Sequence, residues 1–189
     1  MMIRLMILLF AMPVFAAQWK DVTFEDSMTV DGKKLELNAP LSIRRVTRFG
    51  IPIKVYVGDF YVQKKATDLK GMIEQPRPLF FKQVYRLSID RKDVVEGWTK
   101  AFEDNCEKDC DKAKQGLKEF NDLVTDVRDG TQVTIKITKD SLEIDNQGKP
   151  AKKGIVKNEA FANAFMYIFF GKNPPDEKFQ KELIGQAKE

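Results

Sequence analysis

The sequence has no histidine among its 189 residues. Histidine is the side chain most often used as a general base at neutral pH, and it is the commonest protein ligand for transition metals. Its absence argues against the usual hydrolytic and metal-dependent sites. The sequence also lacks a nucleophile elbow, a phosphate-binding glycine loop and a ligand spacing typical of zinc sites. We therefore assign no catalytic residue and no metal ligand, and we expect no cofactor.

Blocks of like charge are missing too. Lysine and arginine total 32, aspartate and glutamate total 28, and the two signs are interspersed along the chain. This pattern contains no basic patch of the kind that nucleic-acid-binding proteins use, so we expect no nucleic-acid partner. Paired acids such as Glu25 with Asp26, or Asp126 with Asp129, stand in polar, turn-like stretches that are typical of solvated surface.

No apolar run is long enough to span a membrane, which takes about 20 residues. The longest run extends from Leu5 to Phe15, follows Arg4 and ends at Ala16 and Ala17. A cationic start, a short apolar core and a small-residue exit are typical of a secretory signal peptide. We predict cleavage after Ala16, a periplasmic or secreted protein, and no transmembrane segment in the mature chain. A membrane anchor is the alternative interpretation.

Residues 17–189 have a length suited to one domain with its own hydrophobic core. They contain two cysteines, Cys106 and Cys110. In an oxidising compartment the default interpretation is a disulfide. The two positions would lie one turn apart on a helix, where disulfide geometry is awkward, so a turn between two helices suits the bond better. Free thiols, a redox pair and half of a metal site are the alternatives, although neighbouring acids would raise the thiol pKa and oppose redox activity.

The first half of the chain has the period of β-strands. Leu35–Leu37 alternates, apolar residues recur over Leu41–Val46, and Ile53–Val62 is rich in β-branched and aromatic residues. Gly50 and Pro52 separate the last two stretches and predict a hairpin turn. A further strand is predicted over residues 79–89.

After Asp90, a good helix N-cap, the apolar period becomes helical. A second helical period follows the cysteines, over residues 113–124. Strands return as a hairpin over residues 133–144. The strongest predicted helix is Ala160–Phe170, with Asn158 as its N-cap and Gly171 at its end, and a short final helix follows. Strands and helices are segregated along the chain, which predicts an α+β fold with helices on one face of a large antiparallel sheet.

Several short motifs follow one another along the chain in a defined order. A leucine–asparagine pair leads to an arginine and to a strand rich in valine and tyrosine, and a later helix ends in aromatic residues, a glycine and a proline. The motifs are Leu37–Asn38, Ile43–Arg44, Lys54–Val62, Gly130–Val133, Asn158–Phe161, Ile168–Asp176 and Leu183–Gly185. Together they resemble the chalcone isomerase-like family over nearly all of residues 20–186.

The resemblance implies a large antiparallel sheet, helices layered on one face, and a ligand cleft between the two. Plant members of that family isomerise chalcones to flavanones, related members without this activity bind fatty acids, and others assist neighbouring enzymes. Distant members suggest haem as a remote further ligand. This chain could offer only Met, Tyr, Lys or Cys to the iron.

The resemblance places the family's cleft arginine at Arg44. A guanidinium stays charged, and its fork matches a carboxylate in a water-poor cleft. Strand alternation puts Arg45 on the opposite face. The alternative for Arg44 is an ordinary arginine on the surface of a strand.

The catalytic threonine of the isomerases corresponds to Tyr56, and their catalytic tyrosine has no counterpart in the segment Asp90–Val95. Cyclising a chalcone needs donors placed against the developing enolate oxygen, so we predict that the protein is not a working isomerase. Tyr56 is expected to donate one hydrogen bond to a ligand oxygen, and a core aromatic is its alternative role.

We therefore predict an exported, non-catalytic binding protein for a small amphiphilic ligand such as a fatty acid, held by Arg44 and Tyr56. The 14 phenylalanines, several around the C-terminal helix, suit an apolar cleft, although core packing accounts for most of them. One alternative is an isomerase- or lyase-type enzyme acting on a small envelope substrate. Another is an interaction protein whose cleft is filled by its own side chains. The sequence identifies no protein partner.

Overall fold

A computed structural model describes residues 17–19 and 22–186. The predicted signal peptide, residues 1–16, lies outside the described residues. Near the start of the described chain, β1 (Ala17–Trp19) and β2 (Val22–Phe24) form a two-stranded antiparallel ribbon. The rest of the described chain builds one sheet and a layer of helices.

The sheet has eight antiparallel strands. They are β3 (Ser27–Val30), β4 (Lys33–Leu37), β5 (Ser42–Arg48), β6 (Ile51–Val62), β7 (Leu79–Tyr85), β8 (Gln132–Ile137), β9 (Ser141–Asn146) and β10 (Lys152–Lys157). The order across the sheet is β10-β9-β8-β7-β6-β4-β3, and β5 also pairs with β6. The length of β6 allows both pairings, because one edge of this strand pairs with β5 and then, at Tyr61 and Val62, with β4.

The helices cover one face of this sheet. They are α1 (Leu69–Ile73), α2 (Arg91–Asn105), α3 (Cys110–Leu123), α4 (Glu159–Phe170) and α5 (Glu177–Leu183). The main hydrophobic core lies between them and the sheet. A smaller core lies on the other face, where Val22 and Phe24 of the ribbon pack against Val57 and Tyr61 of β6. The predicted α+β class, a large antiparallel sheet with helices layered on one face, is confirmed.

Helix α4 is the centre of the helical layer. The side chain of Asn158 caps its start by accepting a hydrogen bond from the backbone nitrogen of Phe161 at 2.8 Å. Gly171 follows its last residue in an extended conformation, with φ −76°. A Cβ at this position would lie 2.5 Å from the Asn105 side-chain oxygen and from the Tyr167 carbonyl oxygen, so space rather than a left-handed backbone requires glycine there.

Most of the phenylalanines belong to one continuous aromatic cluster. Phe165 stacks on Trp98 of α2, with ring centroids 5.6 Å apart, and Phe161 meets Phe120 of α3 at 5.7 Å. On the sheet side, Phe169 lies 4.9 Å from Phe81. These rings join three helices to the central strands, so the phenylalanine content is chiefly a packing feature.

The two cysteines lie between helices, as predicted. Cys106 follows α2 and Cys110 begins α3, with Cα atoms 5.8 Å apart, and a disulfide joins them. The bond closes the short connection between these two helices.

Some elements have no clear sequence period. The five-residue α1 is too short for one, and β10 contains three lysines and a glycine. Pro52, predicted as a turn residue, instead lies in β6 opposite Thr47, and the turn is formed by Phe49 and Gly50. The strand predicted over residues 79–89 ends at residue 85.

Candidate functional site

Three polar side chains form a row across β5, β6 and β7. Arg44 lies directly opposite Tyr56 in the β5–β6 ladder, and Tyr56 lies directly opposite Tyr85 in the β6–β7 ladder. Directly opposed residues of antiparallel strands point to the same face of the sheet. All three line one cleft on the helix side. We call Arg44, Tyr56 and Tyr85 the polar row.

A β-bulge next to the row sets the direction of the arginines. Arg44 pairs with Tyr56 but Arg45 pairs with Lys54, so Val55 has no residue opposite it. Bulges commonly re-aim side chains beside functional sites. Beyond the bulge, Val46 continues the cleft face with Arg44, and Arg45 does not line the cleft.

The cleft lies between the sheet and helices α2 and α4. Its volume is about 380 Å³, within the usual range of roughly 300–1,000 Å³ for small-molecule sites. Most of its wall is apolar. The main apolar contributors are Val46, Val55, Val94, Trp98, Ile168 and Phe169. The polar row therefore faces an apolar compartment, which is the combination that an amphiphile requires.

The cleft opens outward between β5 and the start of α2. Arg48 of β5 and Asp93 and Gly97 of α2 line both the cleft and a neighbouring, more open groove. The β5 wall carries Arg44 and Arg48, whereas the α2 wall carries acids. An anionic group entering the cleft is therefore favoured on the β5 side.

The Arg44 guanidinium is held in place by one carboxylate, but most of its hydrogen-bond donors have no protein partner among the described residues. Its side chain is 14 % exposed, and its Nη1 lies 3.5 Å from Oδ2 of Asp176. Charge-assisted pairs are usually shorter, at about 2.7–2.9 Å. Among the described residues the guanidinium has no other side-chain partner, so most of its fork is available to a ligand in the cleft.

The two phenols of the row are buried and uncharged. Tyr56 packs edge-on against Tyr85 and against Phe179 of α5, each at 5.5 Å between ring centroids. Burial raises the pKa of both tyrosines well above the usual value, and for Tyr56 the nearby Arg44 charge opposes this effect only in part. Neither hydroxyl has a hydrogen-bond partner among the described residues. Both are thus protonated donors at neutral pH.

Helix α5 holds the outer edge of β5. One carboxylate oxygen of Asp176 caps α5, and the other accepts the backbone N–H of Arg45 at 2.7 Å. Glu182 accepts the backbone N–H of Ile43 at 2.6 Å and pairs with the Arg45 guanidinium at 3.0 Å. These acids satisfy edge N–H groups that a further strand would otherwise bind. The position of Arg44 therefore depends on α5.

A buried carboxyl group lies on β6 near this edge. Asp59 is 1 % exposed, and it accepts hydrogen bonds from the Ser42 hydroxyl at 3.0 Å and from the Phe60 backbone nitrogen at 2.8 Å. Burial raises the pKa of Asp59 well above its usual value, against the effect of these donors, and the Glu182 charge adds to the rise. Asp59 does not line the cleft and is a structural group.

The structure brings together Arg44 and Tyr56 and leaves the cysteines outside the cleft. It adds Tyr85, which sequence reasoning missed. Alternation along the predicted strand 79–89 could have indicated it. Tyr85 and Phe81 are an even number of residues apart, so they point to the same face of the sheet, and both face the helices. The segment 90–95, which has no counterpart to the isomerase tyrosine, contributes Asp90, Asp93 and Val94 to the cleft.

Within residues 17–19 and 22–186, no helix has both the length and the apolar character needed to cross a membrane. In the same part of the chain, no three or more acidic or cysteine side chains are grouped so as to hold a metal ion.

The chain matches the chalcone isomerase-like family over residues 16–185 and belongs to it. A solved structure with the same fold is that of a fatty-acid binding protein from Arabidopsis thaliana. It superposes with a TM-score of 0.67, covers 90% of this chain and 96% of its own, and is 12% identical in sequence. No curated protein sequence matches the chain.

Proposed function

We propose that this protein is an exported, non-catalytic binding protein that holds a small amphiphile with an anionic head, such as a fatty acid. One observation carries the proposal: the polar row stands at one wall of a cleft that is otherwise largely apolar. The head would meet the row, and the tail would lie against the aliphatic and aromatic side chains of α2 and α4.

The chemistry of the row suits a carboxylate. Arg44 supplies a permanent cation with a forked set of donors, and such a fork binds a carboxylate in two places. Tyr56 and Tyr85 add hydroxyl donors that stay protonated at neutral pH. A carboxylate bound there would complete hydrogen bonds that the described residues leave unmade.

The rest of the cleft suits an alkyl chain. Each buried methylene contributes about 0.8 kcal/mol, or roughly a fourfold gain in affinity, as long as the added group remains inside the cleft. Affinity should therefore rise with chain length and then level off. The fatty-acid binding protein of the same fold supports a ligand of this class.

The signal-like pattern of residues 1–16 and the disulfide between Cys106 and Cys110 support export. Disulfides persist mainly in oxidising compartments, which include the periplasm and the cell exterior. N-terminal sequencing of protein recovered from the envelope of its host tests this part: an unprocessed N-terminus would contradict cleavage after Ala16.

The first test of binding is native mass spectrometry of the protein purified from its host, followed by organic extraction of any released molecule. A stoichiometric amphiphile is expected. Calorimetry of delipidated protein with fatty acids of increasing length follows, with the methyl ester of each acid as control. Failure to bind any fatty acid at any chain length would contradict the proposal.

A second candidate is an isomerase- or lyase-type enzyme, and Tyr85 is the observation that favours it. A cation and two neutral phenols on one wall can also stabilise a developing enolate. Turnover separates the two functions. If Tyr85→Phe abolishes product formation from a carbonyl substrate while fatty-acid affinity changes only a fewfold, the protein is an enzyme.

A further inference from the structure

The β5–β6 hairpin ends in an apolar tip that the fold does not bury. Phe49 is fully exposed at 102%, and Ile51 is 64% exposed. Residues 47–52 are all exposed, and we call residues 47–53 the hairpin tip. A phenylalanine with no packing partner in the described fold contributes nothing to the core, so its presence needs another explanation.

The backbone also makes phenylalanine a poor choice for this turn. Phe49 has φ +51° and Gly50 has φ +76°, so both central residues of the two-residue turn have positive φ. Such type I′ turns strongly favour Asn-Gly, because asparagine tolerates this conformation better than bulky residues do. The fold alone would therefore select asparagine at position 49.

The charge of the hairpin has one sign. Residues 42–58 contain Arg44, Arg45, Arg48 and Lys54, and no aspartate or glutamate. Arg48 is exposed and has no ion-pair partner in the part of the chain that the structure describes. Arg44 and Arg45 pair with acids of α5 and its N-cap, so Arg48 is the cation that supports this argument. An apolar tip with an arginine beside it is complementary to an anionic lipid surface, where aromatic rings lie at headgroup level and lysine or arginine meets phosphate.

The hairpin tip continues the wall of the cleft. Val46 lies opposite Ile53, and Arg48 lies opposite Ile51, so these pairs share the face that carries Arg44. Arg48 lines the cleft mouth. A surface that contacts the tip would therefore lie beside the opening through which a ligand enters.

We propose that the hairpin tip docks on an anionic lipid bilayer, with Phe49 and Ile51 inserted at the interface and Arg48 against lipid phosphates. The contact places the mouth of the cleft at the membrane, where an amphiphile is loaded or released. This role in ligand exchange rests on the proposed binding function, whereas the docking itself does not.

The test is co-sedimentation of residues 17–189 with vesicles of phosphatidylglycerol and phosphatidylcholine. Vesicles of pure phosphatidylcholine serve as the uncharged comparison. The Phe49→Asn variant removes the ring and supplies the residue that the turn favours, so its thermal stability should be equal or higher. Its partitioning onto anionic vesicles should fall about tenfold, because burying a phenylalanine side chain contributes roughly 1.5 kcal/mol or more. The matched control is Ile155→Thr, because Ile155 is an exposed isoleucine on β10 at the far edge of the sheet.

Binding to anionic vesicles that weakens with salt and in Phe49→Asn, but not in Ile155→Thr, supports the proposal. Equal sedimentation of wild type and Phe49→Asn overturns it, as does a solution dimer that dissociates in Phe49→Asn without any vesicle binding. Fatty-acid calorimetry without vesicles is run on the same samples. Ligand binding without vesicle docking rejects only the docking proposal, and vesicle docking without ligand binding rejects only the proposed function.

Discussion

Asp176 accepts the backbone N–H of Arg45 at 2.7 Å with one carboxylate oxygen, while its other oxygen caps its own helix. One side chain thus fixes both the start of α5 and the edge of the strand that carries Arg44. The same carboxylate is the only side-chain partner of the Arg44 guanidinium among the described residues. The binding wall and the last helix are therefore coupled.

Asp176→Ala should destabilise the fold by about 2–4 kcal/mol, because it removes a helix N-cap and leaves the Arg45 N–H without an acceptor. Urea unfolding measures this as a lower midpoint at unchanged slope. Asp90→Ala is the matched control: Asp90 is the N-cap residue of α2, but its side chain makes no capping hydrogen bond. Equal losses in the two variants would contradict the role assigned to Asp176.

Arg44→Ala should weaken binding of a fatty-acid carboxylate by about 10- to 100-fold, since hydrogen bonds to charged groups contribute roughly 1.5–3 kcal/mol. The affinity of Arg44→Lys should lie between those of wild type and Arg44→Ala, because lysine keeps the positive charge but lacks the forked set of donors. Calorimetry with the acid and its methyl ester is the measurement. The ester has no anionic head, so a matching loss of ester affinity would show that Arg44 acts on the shape of the cleft instead.

Asp59→Asn should change how stability depends on pH. Because the folded-state pKa of Asp59 is raised above the ordinary value of 3.8, the folded protein keeps a proton that the unfolded chain releases. The stabilisation from this group is therefore complete below the ordinary pKa and is lost as pH rises through the folded pKa.

Asparagine resembles the neutral acid, so the stability of Asp59→Asn relative to wild type should increase as pH rises above about 4. Denaturant unfolding from pH 4 to pH 8 gives the difference at each pH. A difference that stays constant, or one that decreases with rising pH, would show that Asp59 is ionised in the folded protein.

Gly116→Ala should destabilise the fold by about 1–3 kcal/mol through overpacking. Helices α3 and α4 approach so closely here that a Cβ would lie 2.5 Å from the Phe161 Cβ. Gly97→Ala in α2 is the control, because in the described part of the chain no atom beyond its own helix backbone and its chain neighbours lies within 4 Å of its Cβ position. Alanine there should instead stabilise the helix by up to about 1 kcal/mol. Thermal unfolding of both variants distinguishes local packing from helix propensity, and a stabilised Gly116→Ala would contradict the close contact.

The sequence predicts best the elements that carry their own end signals. Helix α4 has a capping asparagine, an apolar body and a terminal glycine, and its observed bounds differ from the prediction by one residue at the start. Strand β10 could not be predicted in the same way. Its apolar content is low. It forms because the edge of β9 is available for pairing, and this depends on the assembled sheet and not on the local sequence.

The site is predictable only in part, for a related reason. The resemblance to the family indicates Arg44 and Tyr56, and their placement in one cleft depends on the β5–β6 register. The bulge that leaves Val55 without an opposed residue on β5 has no local sequence signal. Tyr85 joins them because of the β6–β7 register, which sequence alternation within one strand cannot fix.

Strand β10 ends the sheet with three lysines among its six residues. An exposed strand edge is a template on which another copy of the chain can add, and lysines are a common protection against this. A second copy approaching along β10 would bring its own ammonium groups against these. Repulsion between these lysines would therefore oppose fibre growth along the β10 edge. Replacing the lysines with neutral residues would remove this repulsion and leave the cleft unchanged.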